Sequence, residues 1–221
     1  MPTLGPTLQW EKSILSTKVP LVAGMDEVGR GAYGGPVTVG VCVVDVNVGA
    51  IPSGLKDSKL LTPLARERLV PAIETWSVAC AVGDASAAEI DDLGMTAALR
   101  LAGMRALAAL NVRPTVIALD GSFDWLTPEP AGLFDEPVDF SASVATFVKG
   151  DLKMASIAAA SVIAKVHRDA VMMRLEATHP GYGWSHHMGY GTPAHRDAIK
   201  KLGLSSAHRA SWKIDEESST N

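Results

Sequence analysis

Along the chain, unbroken apolar runs alternate with stretches whose apolar positions recur every three or four residues. Leu21–Met25 and Val37–Val46 are runs of the first kind and predict two strands, with glycines between them that suit antiparallel pairing. Thr62-Pro63 supplies an N-cap and a proline at the first helical position, predicting a helix to about Thr75 with a kink at Pro71. Trp76–Val82 reads as a third strand ended by Gly83-Asp84. Ser86 and Glu89 have capping-box spacing and open a short helix. A longer helix follows through Leu110 and breaks at Arg113-Pro114. Thr115–Leu119 and Val144–Val148 read as the fourth and fifth strands. Between them Leu126–Ser143, with Pro128, Pro130 and Pro137, reads as an irregular surface insertion. The alanine-rich stretch Leu152–Thr178 is the strongest helix, and Ala155, Ala158, Ala159 and Ala164 would let it lie close on a sheet. His179-Pro180-Gly181 stops it. A Gly/Tyr/His-rich loop, a helix near Pro193–Leu202 and a polar tail from Asp215 complete the chain.

Three antiparallel strands followed by helix–strand units define an α/β fold with a helical C-terminal annex. We divide it into an N-terminal segment (1–20), a main α/β domain (21–178), a helical extension packed on it (179–214) and a disordered tail (215–221). The length, 221 residues, suffices for one domain with a sizeable core. No apolar run reaches the roughly 18 residues of a membrane span, and the N-terminus lacks the pattern of a signal peptide. Cys42 and Cys80 sit in apolar runs and read as reduced core residues, so a cytoplasmic location is expected.

Net charge is −4, which argues against a generic nucleic-acid binder. The distribution changes that picture. Lys149–Lys213 holds 10 Lys+Arg against 4 Asp+Glu, a balance of +6, on an otherwise acidic chain. Such a third fits either a footprint for a polyanion or an ordinary solvated helical face.

Acids stand where apolar strands end: Asp26-Glu27, Asp120 and Asp151. Strand ends are where α/β sheets form ligand crevices. Converging carboxylates need compensation, and hard divalent cations with oxygen ligands supply it. Two such ions about 3.5–4 Å apart would activate a water and stabilise the leaving oxygen of a phosphodiester. Gly29, Gly31, Gly34 and Gly35 leave backbone N–H groups open to an oxygen-rich ligand. Asp26-Glu27 alone fits equally an acidic strand terminus before a glycine turn. Adjacent strand residues point to opposite faces, so both acids share a site only if the backbone bends there.

Met25-Asp26-Glu27-Val28-Gly29-Arg30-Gly31, Asp57-Ser58-Lys59, Leu119-Asp120-Gly121, Lys149-Gly150-Asp151 and Ser156–Lys165 resemble bacterial ribonuclease HII, in family order. Arg168-Asp169, Pro180-Gly181-Tyr182-Gly183, Gly189-Tyr190-Gly191-Thr192 and His208-Arg209 extend the resemblance, which runs from about Val22 to Trp212.

The resemblance implies an RNase H-like mixed five-stranded sheet flanked by helices. It implies an endonuclease that cuts the RNA strand of RNA–DNA hybrids and incises DNA duplexes at embedded ribonucleotides, leaving 3′-hydroxyl and 5′-phosphate ends. It assigns Asp26, Glu27, Asp120 and Asp151 as catalytic metal ligands for Mn²⁺ or Mg²⁺. Gly29, Arg30 and Gly31 match the loop that senses the ribose 2′-OH, the group that distinguishes RNA from DNA. Tyr190 matches the tyrosine at the RNA–DNA junction, with Tyr182 the alternative. Lys59 and Lys149 are candidate substrate contacts, each also readable as a neutralising or loop cation. Trp184 and Trp212 are the tryptophans expected nearest substrate, and the protein is expected to act as a monomer.

Two departures stand out. Met188 occupies a position where the family often has Lys, and the Asp120–Asp151 separation is longer than usual. The related ribonuclease HIII carries an extra N-terminal domain, which the roughly twenty residues before the first strand are not expected to form. The competing readings are another nuclease or strand-transferase of the same fold, and a hybrid-binding module without turnover.

Overall fold

Val37, Val39, Val41 and Val43 point to one face of a strand and Thr38, Cys42 and Val44 to the other, and every one of them is buried. That strand therefore has cover on both sides, and the rest of the chain supplies it. The structure is a computed structural model and describes residues 5–128 and 140–212. Its strands are β1 (Leu21–Val28), β2 (Val37–Asp45), β3 (Ala79–Ala85), β4 (Val116–Asp120) and β5 (Ser143–Phe147), in the spatial order β3-β2-β1-β4-β5. The β1–β2 and β2–β3 pairs are antiparallel, and β1–β4 and β4–β5 are parallel. This is the mixed sheet expected.

Before β1 lies α1 (Gln9–Ile14). The remaining helices are α2 (Pro63–Trp76), α3 (Ala87–Leu93), α4 (Met95–Ala108), α5 (Ala155–Thr178), α6 (Trp184–His187) and α7 (Pro193–Leu202). One face of the sheet carries α3 and α4, with Ile90, Leu99 and Ala102 packed on Met25, Val39 and Val41. On the other face α2 and α5 bury Leu69, Ile73, Ala158 and Ala159 around Cys42. Each large aliphatic side chain removed from water this way stabilises the fold by roughly 1.5–3 kcal/mol. The alanines of α5 do let it lie close. A Cβ on Gly24 would stand 2.2 Å from the Ser156 backbone, and one on Gly40 would stand 2.3 Å from the Ala160 carbonyl.

Caps act as the sequence predicts. Thr62 accepts from the Ala65 N–H, and Ser86 and Glu89 form a reciprocal capping box. Pro71 lies inside α2, which runs on to Trp76.

Three local expectations need correction. β3 begins at Ala79 and continues through Gly83-Asp84, because Val39 and Thr38 of β2 pair with those residues. Gly83 is there for close packing, since a Cβ would meet the Ala102 carbonyl at 2.2 Å. The proline-rich stretch is not all surface. Trp125 and Leu126 are buried in the α4-side core, and Pro130 and Pro137 lie outside the described residues, as does the tail from Asp215. Finally, the stretch from Leu152 starts as a 3-10 turn over Gly150–Leu152, and α5 proper begins at Ala155.

Beyond α5 a small cluster of Met172, Tyr182, Trp184, Ile199 and Ala207 joins α6 and α7 to its C-terminal half. Among the described residues no helix is long and apolar enough to cross a membrane. Both cysteines are free thiols.

Candidate active site

Parallel neighbours β1 and β4 end side by side, Met25 opposite Leu119, and the next residue on each is an acid. The chain returns from β5 through Lys149, whose left-handed backbone (φ 57°) turns it into the 3-10 turn carrying Asp151. Asp26, Asp120 and Asp151 are thus brought together, with one carboxylate oxygen of each lying within 4.8 Å of the others. The Gly150 N–H donates to Asp120 Oδ1 at 2.7 Å, tying the turn to the strand end.

Asp26 is only 5% exposed. Burial first, and then repulsion from Glu27, Asp120 and Asp151, hold its carboxyl well above the usual range, against a smaller pull from Lys59. Asp120 is raised by burial and by Asp151, despite backbone N–H bonds that favour its charge. Lys59 enters from the 3-10 turn Ser58–Leu60, with Nζ 3.1 Å from Asp151 Oδ2 and 3.9 Å from Asp57 Oδ1. Burial disfavours its charge, but Asp151, Asp57 and Asp26 outweigh that and raise the ammonium.

Glu27 stands apart from the three-acid cluster. The pairing register shows no slip where the two acids stand. The β1–β2 ladder continues without a slip through Asp26↔Gly40, Glu27↔Val39 and Val28↔Thr38, so the two side chains leave on opposite faces. Glu27 Oε1 lies 3.4 Å from Arg30 Nη1. Its carboxyl is raised chiefly by burial and also by Asp120, with Arg30 opposing, so it remains within the field of the cluster.

The remaining residues singled out in the sequence divide clearly. Gly29 has a left-handed φ of +85°, and a Cβ there would meet Arg168 Nε at 2.1 Å. Arg30 and Gly31 are exposed. Gly29–Pro36 is pinned by two buried guanidiniums. Arg209 donates to the carbonyls of Gly29, Arg30 and Gly35, and Arg168 to those of Gly34 and Pro36 and across to Met188. Tyr190 is 38% exposed, with its ring 5.7 Å from the Arg168 guanidinium. Tyr182 is buried and donates to the Gly203 carbonyl. Trp184 is likewise fully buried in the annex, and Trp212 stacks on Arg209. Lys149 is exposed. Among the described residues the cation on the acid cluster is Lys59.

Asp57 was missed as a member of this site. It is buried, caps the turn that carries Lys59, and burial raises its carboxyl. Its signal was the acid–Ser–Lys triplet itself, in which only Lys59 was assigned a task. Arg168 and Arg209 were noticed as motif residues without a task. An arginine in phase with Ala160 and Ala164 on an otherwise alanine-lined helix face was the available clue.

A five-stranded mixed sheet with carboxylates gathered at adjacent strand ends defines the class, a metal-dependent nuclease of the ribonuclease H-like fold. The crystal structure of ribonuclease H2 from Pyrococcus horikoshii OT3 is similar with a TM-score of 0.70 at 28% identity, covering 89% of this chain and 96% of that one. A ribonuclease HIII solved with Mn²⁺ shares the fold with a TM-score of 0.64 at 20% identity, over 97% of this chain and 71% of that one. Ribonuclease HII of Streptomyces griseus is 46% identical over 216 residues, 96% of this chain and 86% of the relative. That of Thermus thermophilus is 43% identical over 201 residues, 90% and 87% of the two chains. The family model described as ribonuclease HII matches residues 23–215. The chain belongs to the ribonuclease HII family and is an endoribonuclease acting on the RNA strand of RNA–DNA hybrids.

Proposed function

We propose that Asp26, Asp120 and Asp151 hold divalent metal directly, and that Glu27 joins them once released from Arg30. The observation carrying this is the cluster of three carboxylates within 4.8 Å, two of them raised by burial and mutual repulsion. The donor set is all oxygen, which fits a hard cation, Mg²⁺ or Mn²⁺, and two ions in the catalytic complex. When bound, the metal lowers the pKa of a water and stabilises the leaving oxygen, giving 3′-hydroxyl and 5′-phosphate ends.

The chain's own residues do the rest. The carbonyls of Gly29, Arg30 and Gly35 are tied back by Arg209, which supports a role for the Gly29–Gly31 backbone in meeting the ribose 2′-OH at close range. Tyr190 packs beside the neighbouring sugar. Lys59 and Lys149 contact phosphates, which position the duplex without reading its sequence. The substrates are then RNA–DNA hybrids and DNA duplexes containing single ribonucleotides. The enzyme works as a cytoplasmic monomer built on a catalytic domain over 21–178 and an extension over 179–214.

The test is a DNA duplex with one internal ribonucleotide, incubated with Mg²⁺ or Mn²⁺. Hydrolysis of one phosphodiester at the ribonucleotide, leaving a 3′-hydroxyl on one fragment and a 5′-phosphate on the other, is expected. An intact strand in both metals, beside a working control enzyme, would sink the reading.

A further inference from the structure

Tyr190 hangs on a short loop with no regular structure of its own. The two residues before it, Met188 and Gly189, both have left-handed backbone, with φ 50° and 81°. Two histidines grip this loop on successive residues. His187 Nδ1 accepts from the Gly189 N–H at 3.1 Å, while its Nε2 donates to the Tyr182 carbonyl at 2.7 Å. The Tyr190 carbonyl accepts from the Thr192 N–H at 2.8 Å and from His195 Nδ1 at 3.0 Å. Behind His195 stands His208, Nε2 to Nε2 at 3.1 Å, and His208 Nδ1 meets both the N–H and the hydroxyl of Ser205 at 2.9 Å. Both rings of the pair are buried.

The ends of this chain fix every proton in it. A backbone N–H only donates, so His208 Nδ1 is the acceptor and its proton sits on Nε2. A backbone carbonyl only accepts, so His195 carries its proton on Nδ1 and leaves Nε2 bare. The two assignments, made from opposite ends, meet as one donor and one acceptor across the His–His contact. A further proton on either ring would set two N–H groups against each other. Burial, helped by the other histidines, already pushes both imidazoles down to about 4. His187 stacks on His195 at 4.1 Å and Trp184 packs edge-on at 5.0 Å, so the ring has no room to turn.

We propose that His195, oriented by His208, is a positioning residue for Tyr190, fixing the tyrosine's backbone and with it the place of the ring that tests the sugar. The proposal rests on the reading of Tyr190 as a substrate contact. A relay running in one direction, Ser205 to His208 to His195 to Tyr190, holds the loop without any charge. A charged anchor would instead add a field beside the phosphates.

Three substitutions separate this from mere packing. His195→Asn keeps an N–H donor near the place of Nδ1, His195→Gln moves it to the place of Nε2, and His195→Ala removes both. Tyr190→Ala is measured in parallel. Affinity for a duplex with one ribonucleotide, relative to an all-DNA duplex, is read in an Asp120→Asn background so that nothing is cut. KM and kcat are read with Asp120 intact. His195→Ala and His195→Gln should raise KM about 5-fold, the size of one lost hydrogen bond. They should narrow the ribonucleotide preference in the same direction as Tyr190→Ala and leave Mn²⁺ affinity unchanged. His195→Asn should stay near the parent enzyme. A long-range ¹⁵N–¹H spectrum of the parent should show the His195 proton on Nδ1.

If Tyr190→Ala narrows the preference while His195→Ala and His195→Gln do not, the inference falls and the reading of Tyr190 stands. A preference untouched by Tyr190→Ala removes that reading and the inference with it. A His195→Asn variant as impaired as His195→Ala, or a proton found on His195 Nε2, overturns the inference even if the alanine variant does not fold.

Discussion

Carboxylates whose oxygens approach within 4.8 Å repel one another unless a proton or cation intervenes. Asp26, Glu27 and Asp120 are all raised, with burial the first cause in each case. A folded-state value above the ordinary one contributes stability that is fully present below the ordinary carboxylate range and is lost as pH rises through the raised value. At neutral pH the metal-free cluster therefore costs stability, and Asp120→Asn should recover some of it while abolishing cleavage. An Asn oxygen can still accept from Gly150, so the turn that carries Asp151 stays tied. A relief of about 1 kcal/mol would raise the melting temperature in EDTA by roughly 2–4 °C. No rise would mean that Lys59 and water already neutralise the cluster. These acids were legible because each is a polar residue ending an apolar run. The opposite facing of Asp26 and Glu27 was also legible, from strand alternation. The pairing of Lys59 with Asp151 was not, since the two are 92 residues apart and no local pattern joins them.

At the scale of elements, the sheet and α5 approach so closely that single methyl groups decide the packing. A Cβ on Gly24 would enter the Ser156 backbone, which cannot step aside as a side-chain tip would. Gly24→Ala should cost about 3 kcal/mol or more, the upper end of overpacking penalties, and lower the melting temperature by roughly 6–12 °C. Gly31 has nothing within 4 Å of such a Cβ, so Gly31→Ala should melt like the parent while losing preference for a ribonucleotide-containing duplex. Equal losses of stability in the two variants would show that α5 can shift. The C-terminal annex carries a pH signature of opposite sign to the acids. His195 and His208 are pushed down to about 4, chiefly by burial, with His187 and His179 adding repulsion. Their contribution to stability is full above pH about 6.5, the unperturbed value, and is lost as pH falls towards 4. Melting curves between those limits should show proton uptake on unfolding, and His208→Gln should flatten the slope. The helices and strands themselves were legible from periodicity and caps. Gly83-Asp84 misled because a glycine at a strand end signals a turn locally, whereas here it admits α4.

Across the whole molecule, chain segments far apart in sequence close on the same strand-end corner. The basic C-terminal third is less of a surface than its count implied, because Arg168 and Arg209 are buried holding backbone carbonyls of the Gly29–Pro36 loop. The N-terminal segment, set apart in the sequence reading, is stitched to the turn beside Asp151. Thr7 N–H donates to the Lys153 carbonyl, Ala155 N–H donates to the Thr7 carbonyl, and Trp10 packs edge-on against Phe147 at 4.8 Å. Glu11 is fully buried and accepts from both the N–H and the hydroxyl of Ser156, serving as a cap for α5 from 145 residues away. A helix without a side-chain cap of its own leaves its first N–H groups to whatever the fold brings to them. No periodicity reports such a partner, which is why this contact was not legible. Glu11→Ala leaves both Ser156 donors unpaired in the interior, a loss of about 1–3 kcal/mol, or roughly 2–12 °C in melting temperature. Glu11→Gln keeps the accepting oxygen and should lose less than half as much. Since Asp151 lies on the turn that leads into this helix, the alanine variant should also gain less melting temperature from added Mn²⁺ than the parent does. Melts with and without Mn²⁺ separate the two effects. A lowered baseline with an undiminished metal-induced rise would confine the N-terminal segment to supporting α5 and free Asp151 from any dependence on it.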